Sequence, residues 1–453
     1  PQRIPRRLGR IDVARRRRRE PETASIRAVT HDGRGIAALE GKTVFVAGAL
    51  EGEVVQFLRR KFRRNFDEAE LLEVIEPSPE RIEPRCEAFG RCGGCVMQHI
   101  SIEQQREIKS QVLRDNLQRI GNVEPQSWFD PMTGPAWGYR RRGRLAVKDV
   151  FAKGRVLVGF RERHAPFITD MHRCEVLAEA VGAMIDSLSD LIATLSIRAR
   201  LPQIEVAVAD NVTALVFRVL ETPTDTDLEA FRAFGREHEV RMYLQPGGLD
   251  SVTLLFPDDA SAEPLYYDLP EYDLRIEFDP VGFVQVNSEI NRRMVHTAVE
   301  LLDPGPEDRV LDLYCGIGNF SLPLARRAGE VLGIEGEALL VAAATANAER
   351  NGIANASFRQ ADLSAVSGEE RWLRERWDCV LLDPARSGAQ AVVSRIDALS
   401  PQRVVYVSCH PGTLARDAGM LVNEKGYRCT AAGIIDMFPH TAHVESIAVF
   451  EKV

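Results

Sequence analysis

The chain has 453 residues, 45% of them hydrophobic and 27% charged, with eight cysteines and a formal charge of −8. That length allows about three domains and a sizeable core, and the composition excludes a fibrous or wholly disordered protein. No run approaches the roughly 18 uninterrupted apolar residues of a membrane span, so no membrane partner is expected. The arginine-rich start has no apolar segment behind it and does not read as a secretory signal. Eight cysteines without such a signal predict a cytoplasmic, reducing location, where clustered thiols mean metal binding or chemistry rather than disulfides.

Charge is unevenly spread along the chain. Residues 1–64 hold 17 Lys and Arg against 7 Asp and Glu, a net of +10, which leaves −18 for the remainder. The expected organisation is a basic module that seeks a polyanion, joined to an acidic body. Residues 1–22, with the run Arg15–Arg19, form a basic tail that would add salt-sensitive, sequence-blind attraction to phosphates. Residues 23–79 read as short strands at Ser25–Thr30, Thr43–Ala47, Glu53–Leu58 and Leu71–Ile75, with a turn at 31–35. That pattern predicts a small OB-like β-barrel. One hairpin, Arg59-Arg60-Lys61-Phe62-Arg63-Arg64 with Phe66 beyond it, interleaves aromatics with cations as single-stranded nucleic-acid binders do. A solvated charged hairpin would have the same composition.

After a linker at 77–84, Cys86, Cys92 and Cys95 fall within ten residues, with Gly90, Gly93 and Gly94 permitting tight wrapping. Cys174 is the candidate fourth ligand. Four thiolates fit tetrahedral zinc or a 4Fe–4S cluster, and spacing does not separate the two. Residues 101–121 are predicted as a helix packing on the catalytic domain, with Ser101 as cap, Glu103 and Gln104 in the first turn and Gly121 at the end. Residues 80–281 as a whole read as an α+β central domain. Its strands are Arg144–Val147, Val156–Phe160, Ile204–Ala209 and Ala214–Val219, and its helical stretches include Val176–Leu195. The patch Tyr139-Arg140-Arg141-Arg142-Gly143-Arg144 is a second expected RNA contact.

From residue 282 to 453 strands and helices alternate. The predicted strands are Val310–Tyr314, Glu330–Ile334, Ala356–Ala361, Cys379–Leu382, Val404–Ser408, Tyr427–Ile435 and Ser446–Glu451. This predicts a doubly wound, largely parallel, Rossmann-like α/β sheet. Asp312-Leu313-Tyr314-Cys315-Gly316-Ile317-Gly318-Asn319-Phe320 closes its first strand, and Glu335 ends the next at the spacing where an acid takes ribose hydroxyls. Such a loop suits NAD or S-adenosylmethionine. Ser321 stands where the third glycine of a dinucleotide fingerprint belongs, which counts against NAD. Asp362 and the run Asp383-Pro384-Ala385-Arg386 follow the third and fourth strands, so polar groups converge on one crevice. The apolar run Arg403–Ser408 delivers Cys409 to a strand's carboxyl end, with Pro411 and Gly412 expected to force a turn. A lone cysteine on a strand edge is ordinarily an inert small hydrophobe, and Cys315, Cys379 and Cys429 are read that way. Cys409 differs because Phe438-Pro439-His440-Thr441-Ala442-His443-Val444-Glu445 downstream supplies a candidate carboxylate base.

These pieces together resemble the RNA 5-methyluridine methyltransferase family, in its bacterial 23S ribosomal RNA (uracil-5-) branch. Residues 23–79 resemble the TRAM domain, an RNA-binding barrel. The resemblance spans roughly residues 23–453 and rests on Phe283-Val284-Gln285-Val286-Asn287, Asp312 to Phe320, Asp383 to Arg386, Ser408 to Thr413 and Phe438 to Glu445. It implies an enzyme in which Gln285, Tyr314, Asn319, Glu335, Asp362 and Asp383 line an S-adenosylmethionine site. It implies Cys409 as a nucleophile that adds to C6 of uracil, Glu445 as base, and a 4Fe–4S cluster on Cys86, Cys92, Cys95 and Cys174. Position 362 departs from the Asn of some members, though Asp still accepts from adenine or ribose donors. The family's transfer-RNA enzyme lacks both barrel and cysteine cluster, and another 23S enzyme lacks the barrel. Carrying both therefore points to 23S ribosomal RNA, in a single-stranded or loop region, with no obligate protein partner. Transfer RNA is the alternative substrate. A non-catalytic RNA-binding iron–sulfur protein and an NAD-linked enzyme are the readings from other classes.

Overall fold

The structure is a computed structural model that describes residues 20–453 apart from 31, 164 and 259–262. The arginine run at 15–19, with most of the expected tail, lies outside the described residues. Two compact units form, one from the residues up to Ile108 with His440–Ala442, the other from Lys109–Pro439 with His443–Val453.

In the first unit six strands, β1 (Glu22–Ser25), β2 (Ala28–Val29), β3 (Arg34–Leu39), β4 (Lys42–Ala47), β5 (Val54–Phe62) and β6 (Phe66–Glu76), make one sheet in the order β1-β5-β6-β4-β3-β2. Alternation along the strands turns Ala37, Val44, Val46, Val55, Phe57 and Ala69 to one side as a core. The chain between β1 and β2 bridges the two edges, because Ile26 N–H donates to Glu53 O and Arg27 N–H to Ile36 O, each at 2.8 Å. The sheet thereby curls toward closure. Strand β3 begins inside the stretch expected to be a turn. Its sequence is small-residue-rich, and pairing with β4 over Arg34–Ala47 to Leu39–Lys42 makes it a strand where local propensity does not.

The β5–β6 hairpin is longer than its sequence suggested and less bare. Arg59 meets Glu22 at 2.5 Å and Asp67 at 3.1 Å, Arg60 meets Glu70 at 2.6 Å and Lys61 meets Glu68 at 3.0 Å. Phe66 packs edge-on against Phe45 at 5.3 Å. Cross-strand acids thus neutralise most of the expected cationic patch, leaving Arg63 and Arg64 exposed at its tip. The 77–84 segment is docked: Arg81 reaches the fully buried Glu53 at 2.5 Å and also the Gly48 carbonyl at 2.6 Å.

Helix α1 (Ile102–Asn116) is capped as expected, the Ser101 hydroxyl accepting from Gln104 N–H at 3.3 Å. It does not stop at Gly121 for conformational reasons. A π-turn at Leu117–Gly121 follows, and Asn122 takes the left-handed conformation, φ 49°. Gly121 is needed for close approach, since a Cβ there would strike the Ala415 carbonyl.

The second unit holds two further sheets and a hairpin. In one, β8 (Arg142–Val150), β9 (Arg155–Gly159), β10 (Gln203–Val208), β11 (Thr213–Arg218), β12 (Val240–Gln245) and β13 (Thr253–Phe256) run in the order β13-β12-β11-β10-β8-β9. Helices α2 (Ile185–Thr194) and α3 (Asp225–Glu237) accompany it, α3 opening with a Thr224–Asp227 capping box. The predicted helix Val176–Leu195 is interrupted after Gly182, which is pressed against the Cys174 carbonyl. Of the Tyr139–Arg144 patch only Tyr139 is buried, Arg140 to Gly143 are half-buried and Arg144 is exposed. Tyr139 is buried with its hydroxyl donating to Pro439 O at 3.0 Å, Arg141 pairs with Asp210, Arg142 donates to Pro280 O, and Arg144 meets Glu205 at 2.8 Å.

Beyond the hairpin β14 (Leu265–Leu269) and β15 (Leu274–Phe278) lies the eight-stranded sheet. Its strands are β16 (Arg309–Leu313), β17 (Glu330–Glu335), β18 (Ala356–Gln360), β19 (Cys379–Leu382), β20 (Arg403–Ser408), β21 (Tyr427–Ile435) and β22 (Glu445–Lys452), in the order β18-β17-β16-β19-β20-β22-β21 with Ser127–Trp128 (β7) added parallel on β21. Strands β16 to β20 are parallel and β22 is antiparallel. Continuous apolar runs in β19 and β20 fit strands covered on both faces, by α4 (Ser288–Leu302), α5 (Ser321–Ala325), α6 (Ala338–Arg350) and α7 (Pro411–Glu424). The short β7 was not visible in the sequence, because two residues carry no periodicity.

Candidate active site

The loop after β16 is built by backbone conformation. Tyr314 sits at φ 68°, Gly316 at 55° and Gly318 at 92°, a region strained for a side-chain-bearing residue and free for glycine. A Cβ at Gly316 would meet no atom within 4 Å, so open space lies over the loop. Glu335, at the end of β17, ties the loop down: it accepts from Gly316 N–H at 3.1 Å, Gly336 N–H at 2.6 Å and Glu337 N–H at 3.2 Å. Asn319 turns into the protein, its amide exchanging hydrogen bonds with Asn291 at 2.9 and 3.0 Å and accepting from Tyr267 at 2.9 Å. Gln285 lines a recess with Tyr267, Val284, Ser288 and Asn291. Asp362 is exposed after β18 and accepts from Ser364 N–H and hydroxyl at 2.8 and 2.6 Å, which lower its pKa.

Beneath this loop Asp312 is fully buried. One carboxyl oxygen takes the Ser321 hydroxyl, and the other has no partner among the described residues. Burial pushes it up to about 7. Asp383, one residue past β19, is likewise raised to about 7, by burial and then by the neighbouring Asp312.

Cys409 and Glu445 meet through strand register. Ser408 of β20 pairs with Ser446 of β22, so one step further along the ladder Cys409 faces Glu445. Expected as a bare turn, Pro411-Gly412 instead opens α7, with Pro at the first helical position and His410 as cap, its ring accepting from Thr413 N–H at 3.3 Å. Glu445 is buried, and that burial, with Asp383 beside it, lifts its carboxyl to about 8. The Cys409 thiol is half-buried and pushed up to about 11 by desolvation and by the Glu445 and Asp383 carboxyls, with Arg386 pulling it down. Arg386 itself lies 2.9 Å from the His443 ring. Cys315, Cys379 and Cys429 are buried, as expected of packing residues.

Sequence reasoning missed Lys109 and Asp436. Lys109, 1% exposed, donates to Asp436 Oδ1 at 2.7 Å and to Phe438 O at 2.9 Å. A signal existed: Gln105, Lys109, Leu113 and Leu117 are the buried stripe of α1 and its continuation, a lysine in register with core leucines.

In the cysteine segment Cys86, Cys92 and Cys95 share one tight wrap, with Phe89 N–H on Cys86 O at 2.9 Å, Cys92 N–H on Ala88 O at 2.9 Å and Gly94 N–H 3.4 Å from the Cys92 sulfur. Cys174 is buried in the second unit. Among the described residues no three His, Cys, Asp or Glu side chains form a group that could hold a metal ion.

A family model described as tRNA (Uracil-5-)-methyltransferase matches residues 253–453. A 23S rRNA (uracil(1939)-C(5))-methyltransferase RlmD from Alkalilimnicola ehrlichii is 51% identical over 443 residues, covering 97% of this chain and 99% of that protein. Its namesake from Methylococcus capsulatus is 50% identical over 433 residues, 96% of this chain and 97% of that one. Among solved structures, the Pyrococcus abyssi tRNA (uracil-54, C5)-methyltransferase in complex with S-adenosyl-L-homocysteine superposes with a TM-score of 0.73 at 25% identity, over 95% of this chain and 100% of that one.

Proposed function

Because the chain belongs to the RlmD family of 23S rRNA (uracil-C5)-methyltransferases, we propose that it methylates C5 of one uridine of 23S ribosomal RNA, the counterpart of the 1939 position in its relatives' name, through a covalent adduct on Cys409. The observation that carries the mechanism is the register that sets Cys409 opposite Glu445, on the sheet edge that also bears the Tyr314–Asn319 loop.

C5 of uracil is a weak nucleophile. Addition of the Cys409 sulfur to C6 places carbanion character on C5, which can then take a methyl group. When bound, S-adenosylmethionine supplies that electrophilic methyl and a positive charge. The open space over Gly316 and the anchored Glu335 carboxylate suit its ribose and methionine parts, with Gln285 and Asp362 at the rim. Transfer leaves C5 carrying both the methyl and its original proton. Glu445 takes that proton, the C5–C6 double bond re-forms and the carbon–sulfur bond breaks, returning Cys409.

The electrostatics suit a resting site. With a thiol near 11, only about 10⁻⁴ of Cys409 is thiolate at pH 7 before ligands enter. Cationic charge brought beside Asp383 offsets the repulsion that holds Cys409 and Glu445 protonated. The target base must leave its stack to reach a half-buried thiol, which favours a loop or single-stranded site.

The first unit's curled sheet serves as a TRAM-type RNA-binding barrel over residues 23–79, followed by a central domain over 80–281 and the methyltransferase domain over 282–453. The all-thiol donor set and the tight wrap of Cys86, Cys92 and Cys95 with an N–H···S contact support a 4Fe–4S cluster on these three cysteines and Cys174.

The test is a denaturing gel of Glu445→Gln with methyl-labelled S-adenosylmethionine and 23S fragments. A slow, labelled protein–RNA band is expected from this variant and none from Cys409→Ala. Absence of the band while the wild type turns over rejects Glu445 as base, and methylation by Cys409→Ala rejects thiol addition. Mapping 5-methyluridine in ribosomal and transfer RNA from cells with and without the protein decides the substrate.

A further inference from the structure

Glu445 opens β22, and Ile435, the last residue of β21, is its partner in register. The next residue, Asp436, is fully buried, and the ammonium of Lys109 stands 2.7 Å from its carboxyl oxygen. The same ammonium takes the carbonyl of Phe438 at 2.9 Å, and Tyr139 donates to the carbonyl of Pro439 at 3.0 Å. Three side-chain hydrogen bonds therefore grip the backbone and side chain of 436–439, the stretch through which the chain leaves β21 toward the base.

A buried lysine is costly unless paired, and Leu113 and Leu117 on the same stripe show that an apolar residue could occupy this face. Asp383 opposes the ionisation of Glu445, and Lys109 favours it. Cys409 faces it as a neutral thiol, and Arg386 acts on that thiol. We propose that Lys109 is a positioning residue for the base, fixing the 436–439 segment and setting a positive charge beside Glu445 so that the carboxylate is available to take the C5 proton. The assignment rests on Glu445 being that base.

Asp436 shares the ammonium, so its own charge works against the effect of Lys109 on Glu445. This gives the pair opposite signatures, which a merely structural role would not. Lys109→Met alone strands a buried carboxylate and invites misfolding, so the informative variants are Lys109→Met/Asp436→Asn, Asp436→Asn and Lys109→Arg in the full-length protein, each checked by thermal melting. The readout is the decay of the methyl-labelled RNA adduct against pH, in single turnover. The double variant should move the midpoint of decay upward by about one pH unit, a roughly tenfold slowing at pH 7. Asp436→Asn should leave it in place or move it down, and Lys109→Arg should restore the wild-type midpoint. A folded double variant with wild-type adduct decay overturns the role of Lys109, as does a downward shift in both. An adduct that fails to accumulate even in Glu445→Gln overturns instead the underlying reading of Glu445, so the two failures are distinguishable.

Discussion

In the loop after β16 and at the end of β17 the polar side chains are tied down. Glu335 holds three backbone N–H groups, and Asn319 is locked to Asn291 and Tyr267. At the ends of β19 and β20 and the start of β22, Asp383, Cys409 and Glu445 are held by burial and strand register, and each is raised above its ordinary pKa by desolvation and by neighbouring carboxyls. One half of the edge is held by hydrogen bonds, which suits the proposed binding surface. The other half keeps its protons loosely poised, as groups that must give and take protons should.

That contrast can be broken by substitution. Cys409→Ala should lower methyl transfer by at least ~10⁴-fold, the scale of losing a nucleophile, while the affinity for S-adenosylmethionine stays within about twofold. An equal loss of cofactor affinity, by calorimetry, would mean the two halves are not separable. Glu335→Ala should do the reverse, raising the cofactor Kd by ~10–100-fold, as expected for a hydrogen-bonded charge. Its pH–rate profile should keep the wild-type midpoint.

A pH series sharpens the comparison. Glu445 must be ionised to act as base, so the elimination rate should climb about tenfold per unit below its pKa and level off above about 8, the value its burial sets in the RNA-free protein. A flat profile between pH 6 and 9 would show that another group takes the proton.

The smallest effect is on stability. A carboxyl whose folded pKa is raised contributes stability present below its unfolded value, near 4.5, and lost as pH rises through about 8. Glu445→Gln carries no such loss. The variant should come nearest the wild type in melting temperature near pH 4 and exceed it near pH 9. Parallel melting curves across that range would contradict the buried-carboxyl description.

The sequence alone determined the strand–helix alternation after residue 282 and the glycine loop, and it singled out Cys409 with its downstream Glu445. These are local signals: apolar runs, glycines needed at positive φ, and turn residues whose periodicity or chemistry is complete within a few positions. Tertiary structure decided the rest. Strand β3 exists because β4 pairs with it, and the cations of β5 are neutralised by acids on β6 and, for Arg59, by the distant Glu22, cross-strand pairings that composition cannot hold. Which cations of Tyr139–Arg144 are paired, Arg141 with Asp210 and Arg144 with Glu205, was not visible in the sequence. The helical register put Lys109 on the core stripe of α1, but its partner Asp436, more than three hundred residues away, was visible only in the fold. The sequence supplied the candidate reactive groups. Only the fold set their protonation, because desolvation and the proximity of Asp312, Asp383 and Glu445 exist only once β16, β19, β20 and β22 lie side by side.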